Sequence, residues 1–242
     1  STAKLYTDVG YFTCSEIIGE DDTAVFNMLS GYSEPRSWNR LALAPHWLKD
    51  RFLALIGRER DYALAGRPAR IIAKMNALCD RDIIEALYGA SAAGVKIDLI
   101  IRGICCLRVG VPGVSENITV RSIVGNFLEH ARIFYFENDG KPEYYCASAD
   151  WMPRNLERRV EILFPIEKAA LQEKLKRILD SQLKDTVKAQ ILQPDGSYTK
   201  VDKRGKEVFN AQLSFCETAR AAAKEKNDAA CKRVFIPKMH HT

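Results

Sequence analysis

His130 and Arg132 stand at the entrance to a β-forming run, Ile133-Phe134-Tyr135-Phe136. Beyond Asn138-Asp139-Gly140, a second such run, Tyr144-Tyr145-Cys146, leads on to Ser148 and Asp150. Asp-Gly supplies the positive-φ positions of a tight turn, so the two runs are expected to pair as a hairpin. Alternate residues of a strand share a face, which groups His130 with Arg132 and Ser148 with Asp150 near the open end. An imidazole beside a fixed cation suits an anionic, phosphorylated group. The plainer alternative is a strand entry whose polar residues simply meet water.

A second candidate set lies upstream. Arg70–Met75 reads as a strand, Asp80 as the cap of a helix through Ile83, Ile84, Leu87 and Tyr88, Gly94 as its stop, and Val95–Ile101 as another strand. Strand, helix and strand at this spacing predict a βαβ unit at about 69–102, with parallel strands and a right-handed crossover. Ligands of α/β sheets gather at the carboxyl ends of such strands. Those ends carry Lys74 and Asn76 on one strand and Arg102-Gly103 on the other. The alternative is that Lys74 and Arg102 are ordinary strand-end charges.

The remaining elements must position these residues. Lys4–Asp8 reads as a strand, and Asp21-Asp22 as the acidic start of a short helix over Ala24–Leu29. Gly31–Pro35 is a loop and a candidate boundary. Pro45 opens an amphipathic helix to about Ala65, ended by Gly66-Arg67-Pro68. After an irregular stretch over Gly103–Asn117, Ile118–Val124 is a strand. Arg154, Arg158 and Arg159 form a basic cluster ahead of a strand over Val160–Phe164. The cluster faces either phosphate or solvent at an edge strand. Ala169–Leu183 is a helix, Val187–Ile191 with Tyr198–Val201 a small β excursion, and Ala211–Lys226 a last helix with Leu213, Phe215, Cys216 and Ala219 on its apolar side. His240-His241 belong to a basic tail rather than to a metal site.

With 242 residues the chain can bury a full core, and a net charge of +5 leans only weakly toward anionic partners. The seven cysteines show no C-x-x-C pair, and adjacent Cys105-Cys106 are poorly placed to bridge each other, so free thiols in a reducing cytoplasm are expected. No apolar run is long enough to span a bilayer. There is no G-x-x-x-x-G-K-[ST] loop, kinase Gly-rich loop, H-R-D or G-x-S-x-G. Nucleotide chemistry would therefore run through side-chain cations and a histidine. Modest charge without an aromatic-basic motif argues against nucleic acid.

The run from Lys74 to Gly140, the segment SADWMPRNLERRVEILFPI from Ser148 to Ile166, and the opening TAKLYTD together resemble the C-terminal catalytic region of bacterial polyphosphate kinases of the first type. The resemblance covers roughly residues 1–200, with several motifs in the family's order. It implies an α/β fold similar to phospholipase D, a mixed sheet flanked by helices in which two related halves face one site. It also implies reversible transfer of the γ-phosphate of ATP to inorganic polyphosphate, through a phosphohistidine and with magnesium. Residues 1–40 would be the end of the first catalytic half and 41–242 the second half.

Carried onto this sequence, the family pattern places Tyr6 of LYTD against the nucleotide, Arg102 of IIRG on the ATP phosphates, and His130 of LEHAR in the active site, with Asp8 in support. Lys74, Asn76, Arg132, Ser148, Asp150, Arg154, Arg158 and Arg159 are candidate phosphate or polyphosphate contacts. Arg132 stands where the phospholipase D pattern has lysine, and Ser148-Ala149-Asp150 replaces its Gly-Ser. The family's phosphorylated histidine and magnesium-binding arginines are expected upstream of TAKLYTD, leaving no metal ligand in this chain. The whole enzyme is expected to be a cytoplasmic homo-oligomer, with or without membrane association. Competing readings are a non-catalytic nucleotide- and polyanion-binding module and a phospholipase D-like phosphodiesterase.

Overall fold

The computed structural model describes residues 6–33 and 35–231; Lys4-Leu5 of the expected first strand, Glu34 of the boundary loop and the tail with His240-His241 lie outside the described residues. The elements run β1 (Tyr6–Thr7), α1 (Glu16–Leu29), β2 (Ala42–Leu43), α2 (Leu48–Leu64), β3 (Arg70–Met75), α3 (Arg81–Ala92), β4 (Lys96–Ile101), β5 (Ile118–Ile123), β6 (Leu128–Glu129), β7 (Arg132–Phe136), β8 (Glu143–Ala147), α4 (Pro153–Glu157), β9 (Ile162–Ile166), α5 (Ala169–Lys184), β10 (Ala189–Leu192), β11 (Tyr198–Lys200) and α6 (Ala211–Cys231).

Nine strands form one mixed sheet, in the order β11-β10-β5-β4-β3-β7-β8-β9-β2. The βαβ unit is present as expected. β3 and β4 pair in parallel, Arg70 opposite Lys96 through Met75 opposite Ile101, and β5 continues the parallel set. Asp80 caps α3 by accepting from the Ile83 N–H at 3.1 Å. β7 runs antiparallel to β3 with Lys74 opposite Ile133, and the β7–β8 hairpin places Arg132 opposite Ala147. Its turn has positive φ at Asn138, Asp139 and Gly140 (48°, 54° and 78°), the conformation the Asp-Gly step favours.

Alternation along β3 divides the core. Ile71, Ala73 and Met75 face α2 and α3, where Phe52, Ile83, Leu87, Phe134 and Trp151 pack with them. Ile72 faces the other side with Ile133, Cys146, Leu175 and Leu179 of the α5 layer. Phe52, Phe134 and Trp151 form a mutual aromatic cluster with centroids 4.7, 5.3 and 5.2 Å apart. Such pairs add about 0.5–1.5 kcal/mol each beyond their buried area. Trp151 is fully buried, and its carbonyl accepts from the Cys79 and Asp80 N–H groups at 2.8 and 3.0 Å. This clamps the segment after β8 onto the segment after β3.

Four expectations change. α1 begins at Glu16, before Asp21-Asp22, because Asp21 turns inward: its carboxylate accepts from the N–H groups of Asn39, Arg40 and Leu41 at 3.0, 2.7 and 2.9 Å. The last strand of the hairpin layer is Ile162–Ile166, two residues later than its apolar run suggests, because it takes its register from β8. The small β excursion is no appendage, since β10 pairs with β5 and extends the main sheet. Leu213 is exposed at 53%, while Phe215, Cys216 and Ala219 line a cavity shared with Lys74, Phe127 and Ile178.

Candidate active site

The carboxyl ends of β3 and β4 and the open end of the β7–β8 hairpin meet at one place. β3 runs parallel to β4 and antiparallel to β7, so Met75, Ile101 and Arg132 all reach the same sheet end. Lys74 lies on the α5 face, where alternation calls for an apolar side chain, and is 2% exposed. Its Nζ donates to the carbonyls of Glu129 and Ala131 at 3.1 and 2.8 Å, and lies 3.7 Å from Glu129 Oε2. Lys74 thus grips the backbone on both sides of His130. Burial pulls its pKa down to about 8, against the opposing pull of Glu129.

His130 is half-buried, with Nδ1 2.8 Å from a terminal nitrogen of Arg132. A guanidinium can only donate, so Nδ1 accepts and the neutral ring carries its proton on Nε2. Burial first, and then the Arg132 charge, lower the His130 pKa; Asp8, 3.9 Å from Nδ1, opposes them. Tyr6 meets the ring edge-on, with centroids 4.7 Å apart at 86°. The short parallel pair β1–β6 sets this contact by placing Tyr6 opposite Leu128 and Thr7 opposite Glu129.

From Arg132 a chain of contacts crosses to the other strand. Arg132 donates through Nε and Nη2 to the two oxygens of Asp150, both at 3.1 Å. Asp150, 4% exposed, also accepts from the Asn76 N–H at 2.7 Å. The Asn76 side-chain oxygen accepts from Arg102 Nε and Nη2 at 2.9 and 2.5 Å. Arg102 is half-buried and has no carboxylate partner among the described residues, so its charge is oriented by a neutral amide and left uncompensated. Gly103 follows because the backbone passes close to Asn76. A Cβ there would sit 3.1 Å from the Asn76 carbonyl oxygen.

Six sequence candidates therefore form one set: Lys74, Asn76, Arg102, His130, Arg132 and Asp150, with Tyr6 and Asp8 alongside. Ser148 is engaged elsewhere. Its hydroxyl accepts from the Ile162 N–H at 3.0 Å and its own N–H donates to the Ile162 carbonyl at 3.0 Å, extending the β8–β9 pairing. Arg154, Arg158 and Arg159 are exposed and outside this hydrogen-bond chain; Arg159 lies 3.7 Å from Glu161.

Sequence reasoning missed Glu129. Its carboxylate accepts from Gln182 of α5 at 2.8 Å and Gln212 of α6 at 3.1 Å, tying both helices to the His130 turn. Only its position beside His130 pointed to it. Behind this turn lies a largely apolar cavity of about 400 Å³, bounded by Lys74, Phe127, Ile178 and Phe215.

Among the described residues, no three His, Cys, Asp or Glu side chains cluster as metal ligands. Asp150 is taken by Arg132 and Asn76 and Glu129 by Gln182 and Gln212, which leaves Asp8, 3.9 Å from His130 Nδ1, as the exposed one of the three carboxylates. This donor set does not fit a magnesium site.

A mixed α/β sheet that gathers oriented cations at its parallel strand ends defines a domain suited to anionic groups. The chain belongs to the polyphosphate kinase family: residues 41–212 match the polyphosphate kinase C-terminal domain 2. It is 58% identical to the polyphosphate kinase of Thermosynechococcus vestitus over 81% of this chain and 27% of that protein. It is 48% identical to the one from Lactiplantibacillus plantarum over 98% of this chain and 34% of that protein. The crystal structure of polyphosphate kinase from Porphyromonas gingivalis is similar with a TM-score of 0.83 and 35% identity, over 88% of this chain and 33% of that one. The chain thus spans about a third of the length of these relatives.

Proposed function

We propose that this chain supplies the second catalytic half of an ATP–polyphosphate phosphotransferase, which passes the γ-phosphate of ATP reversibly to the end of inorganic polyphosphate. The observation that carries the reading is the linked set His130–Arg132–Asp150–Asn76–Arg102, which ends in a guanidinium with no carboxylate partner among the described residues. Arg102 then forks onto the ATP phosphates through the N–H groups that Asn76 leaves unused. His130, neutral and protonated on Nε2, donates to an oxygen of the phosphoryl group in transit. Arg132 occupies Nδ1 and keeps the ring in that tautomer, so His130 acts as a fixed donor. Transfer through a phosphohistidine divides one displacement between polyanions into two easier ones. That covalent role is assigned to a histidine of the first catalytic half.

Tyr6 bounds the nucleotide beside His130, with Asp8 in support; the edge-on contact of Tyr6 with the imidazole supports this placement. Residues 1–40 are assigned to the end of the first half, and the family match that opens at residue 41 supports that division. The exposed Arg154, Arg158 and Arg159 are assigned to the path of the polyphosphate chain. Magnesium, where it accompanies ATP, screens phosphate charge, and no residue of this chain is assigned to hold it. No helix among the described residues is long and apolar enough to cross a membrane. A cytoplasmic homo-oligomer is part of the proposal.

The test is polyphosphate synthesis by the whole protein. A donor removed from a transition-state anion costs about 10²–10³ in turnover. His130→Ala is expected to lower kcat by that order, with little change in melting temperature. Normal synthesis by that variant would remove His130 from the reaction.

A further inference from the structure

Two cysteines with no part in the hydrogen-bond chain lie beside it. β3 continues through Asn76 to Cys79, and β4 through Arg102 to Cys106. The two segments extend the parallel pairing of their strands by one bridge, Leu78 opposite Cys105. Leu78 N–H donates to the Ile104 carbonyl at 2.9 Å, and Cys106 N–H donates to the Leu78 carbonyl at 2.8 Å. Cys79 and Cys106 each follow that bridge by one residue, and the Cys79 thiol meets the Cys106 side chain. Cys105 packs against the α2–α3 core. Neighbouring strands lie about 4.8 Å apart, inside the range of about 4.4–6.8 Å between Cα atoms that a disulfide spans. Cys106 is exposed and Cys79 half-buried. The Cys79 N–H is held by the Trp151 carbonyl at 2.8 Å, so its backbone is fixed.

We propose that Cys79 and Cys106 form a reversible disulfide that staples the segment carrying Asn76 to the segment carrying Arg102 and so weakens nucleotide binding; the effect on nucleotide rests on the function proposed above. A peroxide is the oxidant. Its O–O bond breaks as the Cys106 sulfur takes one oxygen to become a sulfenic acid, releasing water. The Cys79 sulfur then attacks the Cys106 sulfur, the S–S bond forms and the S–O bond breaks, releasing a second water. Two thiols give up two electrons and two protons, and the peroxide is reduced to two waters.

Burial, and then contact with Cys106, push the Cys79 thiol up to about 11, which makes exposed Cys106 the first sulfur to react and Cys79 the resolving one. The strand spacing sits at the short end of the disulfide range, and a bond held off its preferred geometry is easily reduced, as a regulatory bond must be. A disulfide favours Cα atoms about 5.5–6 Å apart, so forming it pushes apart two segments that now meet through the Asn76–Arg102 contacts at 2.9 and 2.5 Å, and turns Arg102 from its set direction.

The experiment treats the intact protein with graded hydrogen peroxide, blocks free thiols by alkylation, and maps the peptides by mass spectrometry. ATP affinity is measured in parallel by calorimetry. The expected result is one cross-linked peptide pair, Cys79 with Cys106, present also in Cys105→Ser and absent from Cys106→Ser. ATP affinity should fall several-fold on oxidation, recover with dithiothreitol, and stay constant in peroxide-treated Cys106→Ser. Cys79 and Cys106 both remaining open to alkylation while exposed Cys14 is oxidised would overturn the proposal. A bridge through Cys105, or a Cys79–Cys106 bridge with unchanged ATP affinity, would overturn it too. A reduced protein that binds no ATP would instead contradict the proposed function, while the peptide map still decides whether the bond forms.

Discussion

The two ends of the central sheet treat charge in opposite ways. At the amino ends of β3 and β4, cations meet carboxylates: Arg70 lies 2.8 Å from Asp98, Arg58 lies 3.0 Å from Glu143, and Arg67 pairs with Asp139. Glu59, fully buried, accepts there from the N–H groups of Arg70 and Asn138 at 3.2 and 2.9 Å. At the carboxyl ends, Arg102 is held by an amide oxygen and Lys74 by two backbone carbonyls. Arg132 pairs with Asp150 and Lys74 lies 3.7 Å from Glu129, so of these three cations Arg102 is the one without a carboxylate partner among the described residues. An end whose charges are mutually answered is closed chemistry and serves stability. An end that leaves one cation, Arg102, aimed by a neutral amide keeps that charge for an anion from outside.

That contrast is tested most severely at Asp150, which belongs to the open end yet pins it. Asp150→Ala leaves Arg132 buried without its partner and the Asn76 N–H without its acceptor. Breaking one side of a buried pair typically costs about 3–5 kcal/mol. Denaturant unfolding should show a loss of that order, together with weaker ATP binding. A variant as stable as the parent would mean that the Arg132–Asp150 pair does not hold the site.

At the closed end the effect should be confined to stability. Glu59→Ala orphans two backbone donors, a cost of about 1–3 kcal/mol each where water does not replace the acceptor. ATP affinity in the folded variant should match the parent. Burial raises the Glu59 pKa above the usual carboxylate value. Its charged form is thus the costly one, and the parent's advantage from this group is fullest below the unfolded pKa and declines as pH rises through the folded one. A drop in ATP affinity for Glu59→Ala would blur the division between the two ends.

Lys74 should separate the two ends by its pH dependence, the smallest of these effects near neutrality. Its folded pKa of about 8 lies below the ordinary 10.5, so the unfolded chain binds more protons between those values. Stability from this group therefore rises with pH across that window, by at most about 1.4 kcal/mol per pH unit. Lys74→Met should flatten the stability profile there. Identical slopes for parent and variant would show that Lys74 is not the buried cation of this site.

Much of the frame could be read from residue order. The βαβ unit followed from two apolar runs and an Asp80 cap, and the hairpin from Asn138-Asp139-Gly140, because caps and tight turns are decided by neighbours in sequence. The convergence of Lys74, Asn76 and Arg102 with the hairpin's polar end was half legible: strand ends could be named, but not which hairpin abuts them. Ser148 shows what alternation alone leaves open, since its hydroxyl serves the neighbouring strand at Ile162. Asp21 shows the same for helices, because the N–H groups it captures at 39–41 come from a later segment. Lys74 looked like any strand-end charge until register placed it on the α5 face, beneath the His130 turn.

If the carboxyl-end cations serve the phosphates of a nucleotide, as proposed, Arg102 is where binding should respond. Titration of ATP into the parent and Arg102→Ala by calorimetry at one salt concentration compares the two with and without the forked donor. A charge-assisted contact of this kind contributes about 1.5–3 kcal/mol. Affinity should be weaker by roughly 10- to 150-fold in the variant, with unfolding stability nearly unchanged because the side chain is only half-buried. Equal affinities for ATP would contradict the proposal.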